Sequence, residues 1–598
     1  MLLQVLLDVA GNQTPLYHTI PRSYPALICP VCEIAQPCFF EGAHINLKSS
    51  DQSTMTTTDS VGITKQSTRR SPQPFWRIRL ATFRTSLDFF HNSRLIPVVV
   101  LLVVLAAYEC AELIINGTLF TLYYAGLVVL GIAALVTILR NWRTGLYCFM
   151  AWILVEDLVR KYLGNNMIIY FAKDFAVLGL YLSFLFERKF TTKRLCKPRF
   201  VITFVVFFWY CLIQAFNPAS TSIFYGLMGM KLYFMYAPLL LVGFALIDSE
   251  KELRRFFFFN SILVLIVTVC GIAQSILGPT FLNPEVIQED IRNLSTLYRA
   301  SPITGLVAYR PTSLFVSAGR LQNFLTVSWV LALGFGAFLF MRKQTGRWLG
   351  FTTIAVVAAA SLMTASRGVF LWTLLSAIVL VAALVWGAAW RDGQRIRVTR
   401  AIRRTLVVVA IALSILVAMF PQEVRSRMAI YSETLSPYSR TSELSYRSRD
   451  YPLQNFIAAF DYPRWPYGYG IGTASLGGQY VTRIMHAPPM NVGVESGYGQ
   501  LVVELGIVGL LLWILLASAI TFSAWRAVKE LKGTLWFPLA FAIFWYAFLL
   551  VFPMCFYSFG AYEDFVMSAY FWLLLGILFR LSEFPANLQT RQTTMQNP

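Results

Sequence analysis

The sequence has few charged residues and very few histidines. Only 13% of its 598 residues are Asp, Glu, Lys or Arg, whereas 57% are hydrophobic. Soluble domains carry about 25% charged residues, so this composition excludes a soluble protein. Between residues 92 and 598 the single histidine is His486, which stands in the longest polar stretch of that region. Because imidazole titrates near neutral pH, His486 is the first candidate for acid–base chemistry.

Cysteine is scarce where a disulfide or a zinc site would need it. The six cysteines after residue 100 lie in or beside apolar runs, and the long polar stretches contain none. This pattern argues against a disulfide framework. Cys29, Cys32 and Cys38 resemble half of a zinc knuckle, but no second CxxC or His pair completes it. The long polar stretches also lack carboxylate or histidine clusters with ligand spacing, so the sequence predicts neither a metal nor a cofactor.

The first 94 residues form a separate region. Residues 45 to 75 are rich in Ser, Thr and Gln and have no apolar period, which predicts disorder. Aromatic and basic residues alternate from 74 to 94, a pattern typical of an interfacial amphipathic helix. We predict that region 1–94 is cytoplasmic, and Met55 is an alternative start. The remaining regions are a transmembrane domain over 95–580 and a cytoplasmic tail over 581–598.

The rest of the chain consists of apolar runs long enough to cross a bilayer. About twenty apolar residues per crossing predicts about fourteen transmembrane helices, hence an all-α polytopic membrane protein. The predicted spans lie near 95 to 115, 119 to 139, 145 to 163, 167 to 186, 200 to 216, 227 to 247, 256 to 276, 321 to 341, 348 to 365, 369 to 390, 405 to 420, 498 to 520, 535 to 556 and 563 to 580.

The formal net charge of +20 comes mainly from Lys and Arg in short loops between these runs. We interpret it as a topology signal rather than a nucleic-acid-binding surface, because basic loops stay on the cytoplasmic side. The pattern places both termini in the cytoplasm and two long loops, 277–320 and 421–497, on the other face. Long loops are translocated regardless of charge, so their arginines need a separate explanation.

Those arginines are candidate phosphate ligands. Arginine offers paired donors and keeps its charge at physiological pH, which suits it to a lipid-linked diphosphate. For each one a salt bridge or a lipid headgroup contact is the alternative. The candidates are Arg310 and Arg320 in the first long loop, Arg447 and Arg449 in the second, and Arg367 at the outer end of a span.

Other polar residues have two interpretations each. Glu495 either orients the His486 imidazole or caps the helix that begins near Tyr498. The glycines between 468 and 472 predict a turn that lies close to a ligand or a helix, since no βαβ context supports a nucleotide site. Charged residues inside two adjacent spans either pair to fix helix packing or line a polar acceptor channel. They are Glu156, Asp157, Lys173 and Asp174.

Five short motifs follow one another in a fixed order between residues 300 and 520. They are Arg310-Pro-Thr-Ser-Leu-Phe315, Ser366-Arg367-Gly368, Arg449 ahead of Pro466-Tyr-Gly468-Tyr-Gly470, His486, and Leu501-Val-Val-Glu504-Leu-Gly506. In this order they resemble the O-antigen ligase and polymerase family of bacterial inner-membrane glycosyltransferases. The earlier spans resemble it in topology alone. Two features depart from the family: the second loop is longer than in many ligases, and Arg447 competes with Arg449 for its position.

The resemblance implies a GT-C-like fold in the bacterial inner membrane, with both long loops in the periplasm. It also implies a polyprenyl-diphosphate-linked glycan as donor and a glycan or lipid as acceptor. In that family two loop arginines and the histidine bind the diphosphate and catalyse transfer, which matches Arg310, Arg449 and His486. The chemistry of the residues agrees with a metal-independent, inverting displacement in which the arginines stabilise the leaving group and His486 deprotonates the acceptor hydroxyl.

Two questions stay open at the level of sequence. A transporter of an anionic or lipid-linked substrate is the alternative to an enzyme, although transporters commonly show paired repeats with broken helices and this chain shows none. Within the enzyme class, the sequence does not separate a ligase, a polysaccharide polymerase and a protein-glycosylating enzyme.

Overall fold

The computed structural model describes residues 119–163, 167–188, 198–283, 297–300, 305, 307–341, 346–387, 394–435, 446–490 and 492–596. The predicted N-terminal segment 1–94, its amphipathic helix and the predicted span 95–115 lie outside these residues. So do the side chain of Arg447 and part of the first long loop.

The described chain is almost entirely helical. Its helices are α1 (Leu119–Arg140), α2 (Trp142–Tyr162), α3 (Met167–Arg188), α4 (Val201–Gln214), α5 (Ile223–Phe234), α6 (Leu239–Leu246), α7 (Glu250–Leu277), α8 (Ala318–Met341), α9 (Arg347–Met363), α10 (Arg367–Gly387), α11 (Gln394–Met419), α12 (Pro421–Leu435), α13 (Tyr451–Ala458), α14 (Gly478–Met485), α15 (Gly497–Glu530), α16 (Phe537–Leu549), α17 (Cys555–Tyr557), α18 (Gly560–Glu563) and α19 (Phe565–Gln596). A π-helix over Tyr446–Asp450 precedes α13, and another over Leu550–Met554 follows α16.

The helices confirm a multi-pass, all-α membrane protein. Within the described residues, nine are long and apolar enough to cross a membrane, and three shorter apolar helices accompany them. Each predicted span from 119 onward overlaps a helix, although the span 227 to 247 is divided between α5 and α6, and the span 535 to 556 runs from α16 through a π-helix into α17. Helix α2 is not among the nine because it is too highly charged. Arg143 lies at its start, and its last two turns carry Glu156, Asp157, Arg160 and Lys161. The number fourteen stays a prediction.

Polar caps define where several helices begin. The side chain of Asn141 accepts hydrogen bonds from the backbone N–H groups of Arg143 and Thr144 at the start of α2. Ser249 caps α7 in the same way, and Glu250 and Glu252 add negative charge to its first turn. Such carboxylates interact favourably with the positive end of the helix dipole. The caps therefore fix the short connections between spans.

Helix α19 packs against α6 in the centre of the bundle. A Cβ atom on Gly576 would lie 2.0 Å from the carbonyl oxygen of Leu240, so the two backbones touch at this crossing. Small residues allow this approach between membrane helices, where close van der Waals packing supplies much of the attraction. Most of the neighbouring side chains of α19, from Phe565 to Leu581, are buried.

The two ends of α2 make different contacts. At its start, Arg143 pairs with Asp248 and Glu252. At its end, the Nζ atom of Lys161 donates to Thr312 of the first long loop. These residues are separated by about 27 Å of helix at 1.5 Å per residue. We call the end of the bundle at which Lys161 contacts the first long loop the loop end.

The second long loop contacts the same end. Tyr170, near the start of α3, stacks on Tyr480 of α14 with ring centroids 4.7 Å apart. The two long loops therefore meet the bundle on one side. The loop 421–497 contains α12, α13 and α14. A two-stranded antiparallel hairpin, β1 (Tyr298–Ala300) with β2 (Val307–Tyr309), belongs to the first loop.

Candidate functional site

Arg310 directly follows the hairpin. Tyr298 pairs with Tyr309 in the antiparallel register, and the backbone N–H of Arg310 donates to the carbonyl of Leu297 at 2.7 Å. The Arg310 side chain is half-buried, and burial lowers the pKa of its guanidinium. Arginine starts from so high a pKa that it stays charged at physiological pH. The hairpin thus presents a permanent cation at the loop end.

Three buried side chains hold the turn after Arg310. The Nζ atom of Lys161 donates to Thr312 Oγ1 and to the Ser313 carbonyl, each at 2.9 Å. The Oε1 atom of Gln274 accepts from the N–H groups of Thr312 and Ser313 at 2.7 and 2.6 Å. Asn283 Oδ1 lies 3.3 Å from Thr312 Oγ1. The sequence motif Arg-Pro-Thr-Ser is therefore a rigid turn anchored on spans α2 and α7.

Arg427 of α12 joins two of the predicted motifs. Its guanidinium is fully buried and donates to the carbonyls of Met363 at 2.9 Å and Tyr309 at 3.4 Å. It also pairs with Glu423 one turn earlier, at 2.5 Å. Tyr309 adjoins Arg310, and Met363 lies four residues before Arg367. Sequence reasoning missed Arg427, and the signal available was the Glu–Arg pair at i, i+4 spacing.

Arg367 is the first residue of α10, four residues after the Met363 carbonyl that Arg427 contacts. Its side chain is buried, and the preceding Ala365 has a left-handed backbone with φ of 52°. Ala365 packs against Ala308 of β2 and Ile430 of α12. Tyr431 of α12 stacks on Phe370 at 4.9 Å. The structure thus brings the segments of Arg310 and Arg367 together on α12.

Arg449 lies two residues before Tyr451, a residue that contacts Glu495 on a separate part of the loop end. Arg449 is exposed in the π-helix that precedes Tyr451. The hydroxyl of Tyr451 donates to the carboxylate of Glu495, and Asn455 Oδ1 accepts from the Glu495 N–H at 3.4 Å. No hydrogen bond from Glu495 to His486 occurs within the described residues.

The helix after Glu495 is capped by a different residue. Helix α15 begins at Gly497, and the hydroxyl of Ser496 accepts from the N–H of Gly499. The interpretation of Glu495 as the cap is therefore wrong, because serine directly before the first helical residue takes that position. The orienting role of Glu495 stays a prediction.

His486 ends α14 with an exposed side chain on a firmly held backbone. Its φ of 49° and ψ of 28° place it in the left-handed region, which reverses the chain after the helix. The next residue, Ala487, is buried against Tyr225 and Val481. The carbonyl of Pro488 accepts from the hydroxyls of Thr221 and Tyr225 at 3.1 and 2.9 Å. The imidazole therefore faces outward from a fixed position.

The turn formed by the glycines between 468 and 472 packs against helices, which is one of the two alternatives predicted for it. Gly472 has φ of 85°, and a Cβ atom there would lie 2.2 Å from the carbonyl of Tyr225. The carboxylate of Glu504, buried in α15, accepts from the N–H groups of Gly472 and Ala474 at 3.0 and 3.1 Å. Tyr233 donates to the same carboxylate at 2.9 Å. The motif glutamate thus fixes the turn that leads into α14.

A second buried carboxylate continues this network. Glu563 accepts from the N–H of Leu476 at 3.0 Å and from Gln500 at 2.7 Å, while Gln500 also donates to Glu504 at 3.1 Å. Burial, followed by the charge of Glu504, raises the pKa of Glu563 to about 8. Sequence reasoning did not single out Glu563.

Arg320 lies in an internal ion-pair network. Its guanidinium is 2.7 Å from Asp157 and 3.5 Å from Asp564. The predicted pairing of the charges inside the spans is confirmed for Glu156 and Lys173, which lie 2.9 Å apart. Asp174 pairs instead with Lys231 of α5, at 2.5 Å. These pairs satisfy charges that would otherwise be costly at that depth.

The predicted residues thus fall into three neighbourhoods of the loop end. The segments that carry Arg310 and Arg367 meet on α12. Arg449 begins the segment whose Tyr451 contacts Glu495, and His486 stands at the end of α14. Arg320 belongs to the ion-pair network. Within the described part of the chain, no three His, Cys, Asp or Glu side chains form a group that could hold a metal ion. Metal independence stays a prediction.

Comparison with known proteins leaves the family resemblance untested. No family model matches the chain, and no curated protein is significantly similar to it.

Proposed function

We propose that the protein is a glycosyltransferase that moves a glycan from a polyprenyl diphosphate to a hydroxyl acceptor. The observation that carries this proposal is the buried Arg427, which holds the segments of Arg310 and Arg367 together at the end of the bundle where α14 presents His486. Two arginines on adjoining segments and one exposed imidazole could provide what such a transfer requires, which is binding of the diphosphate and removal of a proton.

The proposed step is a single displacement. The acceptor oxygen attacks the anomeric carbon as the bond from that carbon to the diphosphate oxygen breaks, and the diphosphate leaves with the electron pair. His486 takes the proton of the acceptor hydroxyl. Arg310, Arg367 and Arg449 stabilise the charge that develops on the leaving group. Because attack and departure occur on opposite faces of the sugar, the configuration at the anomeric carbon inverts.

The finer architecture belongs to the same proposal. It comprises about fourteen spans in a GT-C-like arrangement, with loops 277–320 and 421–497 in the periplasm and both termini in the cytoplasm of a bacterial cell. The shared loop end supports this sidedness, because the donor and acceptor must meet on one face of the membrane.

A transfer assay with purified protein tests the proposal. Lipid-linked donor and a soluble acceptor are mixed, and the release of polyprenyl diphosphate is measured. Arg310→Lys and Arg449→Lys should each lower the rate strongly, since lysine lacks the bidentate fork. Arg425→Lys, an exposed position of α12, is the matched control and should leave the rate unchanged. Near-normal rates for both loop variants would contradict a role in diphosphate binding and would indicate that these arginines only contact lipid headgroups.

Gene deletion separates the two main versions of this activity. A ligase mutant should accumulate full-length lipid-linked polymer, whereas a polymerase mutant should accumulate single repeat units. Absence of any transfer by the native protein would favour transport instead.

A further inference from the structure

An apolar cavity lies between α8, α9, α10, α11 and α16, in the half of the bundle opposite the loop end. Helix α9 ends at Met363, which Arg427 contacts at the loop end, and its first residue, Arg347, lines the cavity. Met341, the last residue of α8, lines it as well. The cavity therefore begins at the ends of these helices that lie away from the proposed transfer site.

The interior of the cavity suits hydrocarbon and not a polar solute. Its volume is about 190 Å³, and almost all of its wall is apolar. The Nε1 group of Trp329, which belongs to that wall, already donates to the carbonyl of Thr373 at 2.8 Å. Apolar cavities of about 150 Å³ stay dry and bind hydrocarbon ligands such as benzene.

The cavity opens sideways, toward the membrane. Val381 of α10 and Leu406 of α11 belong to its wall and are 41% and 63% exposed. Trp329 and Met341 place its two ends roughly 18 Å apart along α8, at 1.5 Å per residue. One leaflet contributes half of a hydrocarbon core that is about 30 Å thick. The cavity therefore has the depth of one leaflet and is open to the acyl chains of that leaflet.

Positive charge surrounds the shallow end of the cavity. Among the described residues of the wall, Arg347 alone is charged, and it stands at the start of α9, the positive end of the helix dipole. Helix α11 has five arginines among its first eleven residues and no acidic residue. Arg403 and Arg404 of this helix are exposed and directly follow Ile402, which belongs to the wall. Basic pockets between membrane helices bind the head groups of anionic lipids.

We propose that this cavity binds an anionic phospholipid, with one acyl chain between α10 and α11 and the phosphate on Arg347. The site does not depend on the proposed transfer activity. The polyprenyl chain of a donor fits it less well, because the diphosphate of that donor binds at the loop end, on the other side of the membrane. Bound phospholipid stabilises the fold, since α10 begins at Arg367 and α11 leads into α12, the two sides of the junction that Arg427 holds.

Lipid titration of the purified protein in detergent tests this site. The probes are phosphatidylglycerol and phosphatidylcholine with identical oleoyl chains, and undecaprenyl phosphate. The readout is the thermal unfolding midpoint, followed by tryptophan fluorescence. Phosphatidylglycerol should raise the midpoint of the native protein in a saturable manner, because a ligand that binds the folded state stabilises it. Phosphatidylcholine, whose head group has no net charge, should need a concentration about fivefold higher for the same shift, which corresponds to about 1 kcal/mol for one basic residue beside an anionic lipid.

Two variants separate the acyl chain from the head group. Ala337→Phe fills the cavity from α8 and should abolish the response to both phospholipids. Arg347→Gln keeps the cavity and should lower the affinity for phosphatidylglycerol to that for phosphatidylcholine. Lys251→Gln removes an exposed cation in the first turn of α7, at the same end of the bundle, and should respond as the native protein does.

A native response in Ala337→Phe, or a retained preference for phosphatidylglycerol in Arg347→Gln, would overturn the proposal. A native protein that phosphatidylglycerol does not stabilise would overturn it as well. Stabilisation by undecaprenyl phosphate that equals or exceeds that by phosphatidylglycerol, and that Ala337→Phe abolishes, would assign the cavity to an isoprenoid chain instead. If Ala337→Phe does not fold, the result for Arg347→Gln decides, because an exposed side chain changes there without repacking.

Discussion

Arg427 donates from Nε to the backbone carbonyl of Met363 at 2.9 Å, across 64 positions of the chain. The same guanidinium reaches the carbonyls of Tyr309 and Glu423. Met363 ends α9 and Tyr309 ends β2, so one buried side chain supplies a donor to the last carbonyl of a helix and to that of a strand. Helix α12 thereby connects the hairpin before Arg310 to the turn before Arg367.

Removing Arg427 should therefore destabilise the protein. Arg427→Ala removes the guanidinium donors to the Met363 and Tyr309 carbonyls and the ion pair with Glu423, and it empties a fully buried position, which costs about 2 to 4 kcal/mol in unfolding free energy. The measurement is the thermal unfolding midpoint in detergent. Arg425→Ala changes the same residue type on the exposed face of the same helix and should shift the stability by less than about 0.5 kcal/mol. Equal midpoints for the two variants would show that Arg427 does not hold the junction.

The glycine turn gives a steric prediction. Gly472→Ala would place a Cβ atom 2.2 Å from the carbonyl of Tyr225 at a φ of 85°, so backbone must move. We expect a loss of at least about 2 kcal/mol in stability and a displaced α14. Gly493→Ala is the control, because a Cβ atom there has no neighbour within 4 Å. The readouts are the yield of folded protein and its unfolding midpoint. A Gly472→Ala protein as stable as the control would contradict the close packing of the turn.

Stability should depend on the protonation of Glu563. Its pKa is raised from 4.5 to about 8 in the folded protein, mainly by burial. A carboxyl whose pKa is raised by folding binds its proton more tightly in the folded state. Its stabilising contribution is complete below pH 4.5 and is lost as the pH rises through 8. Glu563→Gln should flatten the decline of the unfolding midpoint between about pH 5 and pH 8, while Glu495→Gln, at an exposed position, should keep it. An unchanged pH profile in Glu563→Gln would assign the decline to another group.

The spans were predictable from the sequence because apolar runs of sufficient length have few alternatives in a membrane. The helices inside the loop 421–497 were not predictable from the sequence. Helices α12, α13 and α14 are short and carry polar residues, so they give no strong apolar period. The pairs that hold the site join distant parts of the chain, such as Lys161 with Thr312, and no local pattern reveals such contacts.

The site was predictable to a similar extent. Motif residues identified Arg310, Arg367, Arg449 and His486 as candidates, and the structure places all four segments at the loop end. The supporting residues Arg427 and Glu563 were missed, since each looks like an ordinary surface charge until tertiary packing buries it. The choice of Ser496 rather than Glu495 as a helix cap depends on a one-residue difference in where α15 begins.

The orientation of the loop end is a separate prediction. In a cysteine-depleted background, Tyr467→Cys should react with a membrane-impermeant maleimide in cells whose outer membrane alone is permeabilised, because Tyr467 is 76% exposed in the second long loop. Lys251→Cys, exposed at the start of α7 near the opposite end of the bundle, should react once the inner membrane is broken. The reverse labelling pattern would place the loop end in the cytoplasm and would contradict a periplasmic transfer site.

The most direct test of the central claim is the turnover of a His486→Ala enzyme. General-base assistance is worth about 100- to 10,000-fold in rate, so we expect transfer to fall within that range. Donor binding, which the arginines provide, should weaken little, so kcat should fall much more than KM rises. The measurement is steady-state release of polyprenyl diphosphate by the purified variant beside the native protein. A His486→Ala enzyme that keeps most of its turnover would contradict the assignment of His486 as the base.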